Sequence, residues 1–144
     1  MVVYEVGVQI DGVPAVSKTF YSETFTKLDE TLRNGLIAAI QGFAAEAFSD
    51  EIDTLQMKHF AIASVAKKSQ NCVVTAFAIF DKKTKVPLVR KKLLILLQHF
   101  LDNYPLTSAL PLDQEKYMDF LPVIDDVMKS LTLKPEDRMK SVFG

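Results

Sequence analysis

The side chains that most often carry chemistry are few in this chain of 144 residues. The two imidazoles, His59 and His99, do not form the close helical pair that a zinc-binding motif requires. Cys72 is the single cysteine, which excludes an internal disulfide and a thiolate cage for zinc. Because Cys72 lies in an apolar run, its thiol is predicted to be buried and unreactive. We therefore predict no metal site and no cysteine catalysis.

Glycines and paired carboxylates show no catalytic arrangement either. The five glycines form no dinucleotide-binding fingerprint, phosphate-binding loop or nucleophile elbow. Two adjacent carboxylate pairs, Asp29-Glu30 and Asp125-Asp126, fall in predicted helices, where neighbouring side chains point about 100° apart. These carboxylates are expected to be solvated. We predict that the chain binds no cofactor and is not an enzyme.

Composition narrows the class of protein further. Hydrophobic residues make up 49% and charged residues 24% of the chain, as in ordinary globular domains. The formal charge is -1, whereas a general nucleic-acid binder needs an excess of positive charge. No apolar run approaches the ~18 residues of a membrane span, and no secretion signal is recognisable. We expect a cytoplasmic protein that does not bind nucleic acid.

Hydrophobic periodicity predicts the elements that position these residues. Apolar residues alternate in residues 2–10 and return in residues 13–20, and Asp11-Gly12 between them favours a tight turn. An N-terminal β-hairpin is therefore predicted. In residues 28–48 the apolar side chains recur at steps of three and four, which predicts a helix of about five turns.

Three more strands and two more helices follow in the sequence pattern. Residues 52–58 and 60–67 are predicted to form two strands or one long strand with a kink, and residues 72–80 form the next strand. The second helix runs over residues 87–104, and its predicted inner face consists of Val89, Leu93, Leu96, Leu97, Phe100 and Tyr104. The third helix starts at residues 111–113, and Pro122 is expected to kink or split it. Its predicted core side consists of Tyr117, Phe120, Leu121, Ile124, Val127, Met128 and Leu131.

The predicted element order is β-β-α-β-β-β-α-α. Such an order is typical of an α+β protein, with a five-stranded antiparallel sheet and helices on its faces. We find no internal repeat and no linker long enough to separate domains. The sequence is therefore expected to form one domain over residues 1–133, followed by a polar tail over residues 134–144.

Three features of this pattern resemble the longin domain, the module at the head of several vesicle SNAREs and in adaptor and tethering subunits. The first is the element order with its N-terminal hairpin. The second is the passage from the apolar strand at residues 73–81 into the apolar helix segment at residues 93–100. The third is Ala109-Leu110-Pro111 ahead of a last helix that contains Phe120 and Leu121.

The longin resemblance covers the chain from about residue 3 to residue 131 and implies a longin/profilin-like fold. Longin and roadblock-type domains are platforms for small GTPases, partner subunits and trafficking motifs. The resemblance thus implies a non-enzymatic interaction scaffold, homodimeric or hetero-oligomeric, in a GTPase-linked or membrane-trafficking assembly. Vesicle SNAREs add a heptad-repeat segment and a membrane anchor, which this sequence does not show. The chain is accordingly most similar to freestanding archaeal forms or small adaptor and tethering subunits.

Small residues on the first predicted helix form one candidate interface. If Leu36 and Ile40 face the sheet, the far side of that helix carries Gly35, Ala38, Gly42 and Ala45. Small side chains at this spacing admit a second helix, and each helical glycine costs roughly 1 kcal/mol relative to alanine. The stripe would pair two first helices, accept a partner helix, or meet the chain's own C-terminal helix.

The second predicted helix carries two further candidates. Leu88 and Ile95 lie off its inner face and form either a partner contact or scattered surface residues. A basic run beside them consists of Lys82, Lys83, Lys85, Arg90, Lys91 and Lys92. It is typical of a solvated face, or of a docking surface for an acidic partner or an anionic membrane. A peripheral membrane protein and a small-ligand-sensing module of profilin-like fold are therefore the alternative functions.

Overall fold

The computed structural model describes residues 3–20, 30–50, 53–69, 71–104 and 114–132. These residues begin with a β-hairpin of β1 (Val3–Ile10) and β2 (Val13–Thr19). Asp11 and Gly12 join the two strands with φ of 50° and 82°. The left-handed backbone region that a tight hairpin needs is most accessible to residues of these types, so the predicted turn is confirmed.

Three more strands complete an antiparallel sheet of five, with the order β2-β1-β5-β4-β3. They are β3 (Thr54–Gln56), β4 (Phe60–Ser69) and β5 (Cys72–Asp81). The central strand, β5, is buried along almost its whole length, as its apolar run predicts. In contrast, β3 pairs only with residues 61–63 of β4. Within the described part of the chain, the rest of the outer edge of β4 therefore pairs with no strand.

Helices cover both faces of the sheet. One face packs against α1 (Glu30–Phe48), and the other packs against α2 (Val86–Asn103) and α3 (Leu121–Thr132). A 3-10 helix (Gln114–Phe120) directly precedes α3, so the observed order differs in this detail from the prediction. The boundary falls immediately before the first turn of α3, which contains Pro122, because a proline ring is tolerated there but not in a helix interior.

The larger core lies between the sheet and the pair α2 and α3. The inner face of α2 is the predicted one, since its buried residues are Val89, Leu93, Leu96, Leu97 and Phe100. Over residues 115–129 of the 3-10 helix and α3, where burial is described, the buried residues are Tyr117, Phe120, Ile124 and Met128. An ion pair between the Lys18 ammonium and the Asp125 carboxylate also links β2 to α3. The α+β prediction is thus confirmed, with helices on both faces.

The predicted orientation of α1 is wrong. Leu36, which was expected to face the sheet, is 50% exposed, and Ile40 is only half-buried. Among residues 34–48 of α1, whose burial the structure describes, the buried ones are Asn34, Ile37 and Ala44. Apolar side chains surround most of this helix, so its periodicity does not select one face. Which face of α1 is buried is therefore decided by how the helix packs against the sheet.

Parts of the sequence-based prediction lie outside the described residues. They are the Ala109-Leu110-Pro111 segment of the longin resemblance and the predicted tail at residues 134–144. Among the helices that the structure does describe, none combines the length and the apolar character needed to cross a membrane.

Candidate functional site

A cavity of about 570 Å³ lies between α1 and the sheet. Residues from β1 and the hairpin turn, from β4 and β5, and from one end of α2 contribute to its walls. It forms because α1 touches the sheet along a narrow stripe, which leaves space beside that stripe. The polar residues in its wall are Gln9, Asp11, Gln41, Asp50, Ser64, Thr75 and Arg90.

A hydrogen-bonded bridge crosses this cavity from α1 to the sheet. The Gln41 amide donates from Nε2 to Ser64 Oγ at 3.2 Å. Its Oε1 accepts a hydrogen bond from Thr75 Oγ1 at 3.5 Å. Ser64 and Thr75 are both buried, on the adjacent strands β4 and β5. One glutamine therefore satisfies two buried hydroxyl groups and holds α1 at a set position over the sheet.

Gln9, in the same wall of the cavity, has a buried side-chain oxygen that accepts no hydrogen bond from the described residues. Its side chain is 1% exposed, and its Oε1 has no hydrogen-bond partner among the described residues. Asn34, at the start of the buried stripe on α1, is also 1% exposed and has two such atoms, Oδ1 and Nδ2. A buried polar atom without a partner costs about 1–3 kcal/mol.

Of the four small residues predicted to form an interface on α1, three line the cavity and one does not. Ala38, Gly42 and Ala45 border the cavity; Ala38 is half-buried, and Gly42 and Ala45 are exposed. A Cβ built at Gly12 would lie 2.9 Å from Ala38 Cβ, which shows how closely α1 approaches the hairpin turn. Gly35 is exposed and does not line the cavity. The interface assigned to these four residues by the sequence stays a prediction.

An apolar surface on α1 was missed by the sequence pattern. Leu36, Phe43 and Phe48 are 50%, 65% and 72% exposed. The rings of Phe43 and Phe48 meet edge to face, with centroids 6.1 Å apart. We call these three residues the α1 apolar face. The sequence did contain a signal for this surface. Apolar residues occur all around α1, so a single buried face cannot contain all of them.

The candidates on α2 lie largely where they were predicted. Leu88 and Ile95 are 36% and 39% exposed, and their neighbour Leu94 is 55% exposed. Of the basic run, the exposed members are Lys82, Lys83, Lys85 and Lys91, and Lys92 is half-buried. The turn after β5 and the first part of α2 thus present several ammonium groups together.

Arg90 belongs to that basic run in the sequence, but its side chain makes different contacts in the structure. Its Nη1 donates to the Asp53 and Ser64 carbonyl oxygens at 2.9 and 2.8 Å and lies 2.7 Å from Asp53 Oδ1. The guanidinium therefore bonds to the edge of β4 beside the residue that precedes β3, and Arg90 also lines the cavity. Its charge faces a carboxylate rather than an anionic surface.

Replacement of Arg90 should destabilise the fold. Arg90→Gln is expected to lower the free energy of unfolding by about 2 kcal/mol, because two backbone carbonyls lose a charged donor. Lys91→Gln, on the same helix but exposed, is the matched control, with an expected change within about 0.5 kcal/mol. Urea unfolding followed by circular dichroism measures both. Equal stabilities of the two variants would contradict the role given to Arg90.

The histidines and the cysteine lie apart from the cavity. His59 and His99 are exposed, and Cys72 is buried at the start of β5. Across the described ranges, no three His, Cys, Asp or Glu side chains come together in a way that could hold a metal ion. Burial is the larger cause that raises the pKa of the Tyr4 and Tyr104 phenols, and a nearby carboxylate adds to it in each case.

The chain matches no protein-family model and no curated protein. Its class is defined by its architecture: an α+β protein in which helices cover both faces of a five-stranded antiparallel sheet. Two features stand out on this scaffold. They are the cavity beneath α1 and the α1 apolar face above it.

Proposed function

We propose that this chain is a longin-like interaction scaffold, which acts through protein interfaces in an assembly with a small GTPase or with membrane-trafficking proteins. Two lines support the proposal. The sequence resembles the longin domain over most of its length. The described residues also form an α+β architecture, with one helix on one face of a five-stranded antiparallel sheet and the others on the opposite face, which supports the resemblance at the level of fold class.

The observation that carries the proposal is the α1 apolar face. Phe43 and Phe48 are mostly exposed, although burying an aromatic side chain is strongly favourable. Aromatic residues are also enriched in the energetically dominant positions of protein interfaces. The 19 residues of α1 present this face on a helix roughly 28 Å long. A helix surface of this kind is suited to a partner surface of similar length.

We assign this face first to a second copy of the chain. A two-fold axis through α1 would bring the same apolar residues of both copies together, which is the self-complementary form that most homodimers use. Gly35, next to Leu36, is exposed, and a Cβ built there would meet no atom within 4 Å. A partner helix could therefore approach α1 closely at this point. The rest of the surface would remain available for the GTPase or trafficking partner.

The pairing has a direct test in solution. The native chain is expected to sediment as a dimer at micromolar concentration, and Phe43→Glu is expected to convert it to a monomer of unchanged circular dichroism. Leu94→Glu is the matched control, since Leu94 is similarly exposed but lies on α2. Analytical ultracentrifugation measures all three proteins. A monomeric native chain, or a dimer that survives Phe43→Glu, would contradict pairing through α1.

The GTPase link has a separate test. Small GTPases from the source organism, loaded with GDP or with a non-hydrolysable GTP analogue, are passed over the immobilised chain. We expect retention of at least one GTPase, stronger in one nucleotide state. Binding of none in either state would contradict the GTPase part of the proposal, whatever the oligomeric state of the chain.

A further inference from the structure

We propose that one end of the sheet docks onto an anionic lipid bilayer. Two turns meet at this end because Phe60, the first residue of β4, lies directly across from Asp81, the last residue of β5. The turn between β3 and β4 ends just before Phe60, and the turn into α2 starts just after Asp81. Residues far apart in the sequence are therefore neighbours on one surface, and none of them belongs to the α1 apolar face.

Hydrogen bonds within the backbone hold both turns in place. In the first, the Met57 N–H donates to the Phe60 carbonyl oxygen at 2.7 Å. In the second, the Thr84 N–H donates to the Asp81 carbonyl oxygen at 3.1 Å. The side chains that the two turns carry are thus presented by a fixed backbone at the end of the sheet.

Exposed lysines from both turns occupy this end of the molecule. The turn between β3 and β4 contributes one of them, and the turn into α2 contributes the other three. They are Lys58, Lys82, Lys83 and Lys85, and we call these four residues the basic end. Among the described residues, no carboxylate forms an ion pair with any of the four. Their ammonium groups are therefore available to an external anionic surface.

Positive charge is concentrated at the basic end rather than spread over the molecule. The whole chain has a formal charge of -1, so the rest of the chain carries a net negative charge. Asp81 adjoins the basic end, but its carboxylate accepts a hydrogen bond from the Thr84 hydroxyl at 2.7 Å and the residue is only half-exposed. Such a separation of charge orients a protein with its positive end toward a negative surface.

The type of cation favours a bilayer over a single bound anion. All four side chains are lysines, which lack the planar fork with which arginine holds one phosphate or carboxylate. Arg90, the arginine nearest in sequence, is already bonded to Asp53 and to β4. Several lysines on one surface suit the diffuse negative charge of a lipid leaflet, where each strengthens binding about fivefold.

Exposed apolar side chains accompany these lysines. Met57 directly precedes Lys58 and is 42% exposed, and Leu88 in the first turn of α2 is 36% exposed. A bilayer accepts apolar side chains at the boundary between its headgroups and acyl chains, whereas a soluble anion gives them no favourable contact. Lysines combined with apolar side chains are typical of a surface that lies on a membrane.

Vesicle flotation tests the docking with the native chain. Vesicles of phosphatidylcholine alone are compared with vesicles that also contain phosphatidylserine, at low and at high salt. We expect at least about tenfold stronger binding to the phosphatidylserine vesicles, and loss of that binding at high salt, where ions screen the lysines. Equal binding to both kinds of vesicle, or no binding to the anionic ones at low salt, would overturn the proposal.

A matched pair of double variants locates the contact. Lys82→Gln with Lys83→Gln should weaken binding to the anionic vesicles by about twentyfold, because two attracted charges are lost. Lys67→Gln with Lys68→Gln removes the same charge from exposed positions on β4. These lie roughly 23 Å along the strand from Phe60, beyond the screening length of about 8 Å, so binding should change by less than about twofold. Equal losses in the two double variants would contradict docking through the basic end.

Lys58→Gln tests whether the two turns act as one surface. It should weaken vesicle binding about fivefold, although Lys58 is far in sequence from the other three lysines. Because the side chain is exposed, the circular dichroism of this variant should equal that of the native chain. Unchanged vesicle binding by Lys58→Gln would show that the turn into α2 acts alone, and it would overturn the shared surface.

Met57→Ser separates a bilayer from a soluble acidic partner. It should weaken binding to the anionic vesicles about fivefold, because the side chain no longer enters the lipid interface. Soluble polyglutamate, followed by fluorescence anisotropy, should bind at least about tenfold more weakly than the vesicles, and its binding should be unaffected by Met57→Ser. Polyglutamate binding as tight as vesicle binding, or vesicle binding unchanged by Met57→Ser, would overturn the assignment to a bilayer.

Discussion

Phe100→Ala is expected to lower the free energy of unfolding by about 3–5 kcal/mol, the range for large aromatic truncations in a packed core. The side chain of Phe100 is fully buried on α2. Its ring contacts those of Tyr104, Tyr117 and Phe120, with centroid separations of 5.1, 5.4 and 5.2 Å. The substitution would therefore leave a cavity where α2 meets the 3-10 helix, and it would remove three aromatic contacts at once.

That loss is large relative to the whole stability of a domain, which is about 5–15 kcal/mol. Urea unfolding of the native chain and of Phe100→Ala, followed by far-ultraviolet circular dichroism, gives the difference. Phe100→Leu keeps part of the volume and should cost less. Leu94→Ala, on the same helix but 55% exposed, should change stability by less than about 0.5 kcal/mol. A loss below about 1 kcal/mol for Phe100→Ala would contradict the observed packing of α2 on the 3-10 helix.

Gly7→Ala is expected to cost about 2–3 kcal/mol, although it adds a single methyl group. Gly7 of β1 lies directly across from Phe77 of β5, on the sheet face that α1 covers. A Cβ at Gly7 would lie 2.7 and 2.9 Å from two atoms of the Phe77 ring and 3.0 Å from Ser17 Cβ. Because Phe77 is fully buried, its ring cannot move away without disturbing its neighbours.

A double-mutant cycle isolates this contact. Phe77→Leu shortens the side chain that would meet the new methyl group, so Gly7→Ala should cost less in the Phe77→Leu background than in the native chain. We expect the two costs to differ by at least about 1 kcal/mol. Gly35→Ala is the control for glycine replacement as such, and it should raise stability by about 0.5–1 kcal/mol, since nothing lies near its Cβ. Additive costs at Gly7 and Phe77 would show that the ring does not set the requirement for glycine.

The elements themselves were predictable from the sequence because their signals are local. Asp11-Gly12 set the hairpin turn, and the spacing of Val89, Leu93 and Phe100 identified the buried face of α2. Pro122 separated the last helical segment into two, since proline is tolerated only near a helix start. Each of these inferences depends on residues that are neighbours in the chain.

The candidate site was only partly predictable, and α1 shows why. Its apolar residues are spread around the helix, so Leu36 was assigned to the core and the exposed aromatic pair was not anticipated. Arg90 was grouped with the lysines beside it in sequence, whereas its guanidinium bonds to Asp53 and to β4. In both cases the deciding neighbours lie on other elements.

The sequence by itself determined where most of the strands and helices lie, and its single cysteine and two separate histidines led to the prediction of no metal site and no cysteine catalysis. Only the tertiary structure decided which face of α1 is buried, where the cavity lies, and that Gln9 borders it with an amide oxygen that has no partner among the described residues. The reason is physical. Secondary structure follows from interactions over a few residues, whereas a cavity is space left between elements distant in the chain, and its position depends on how they pack together.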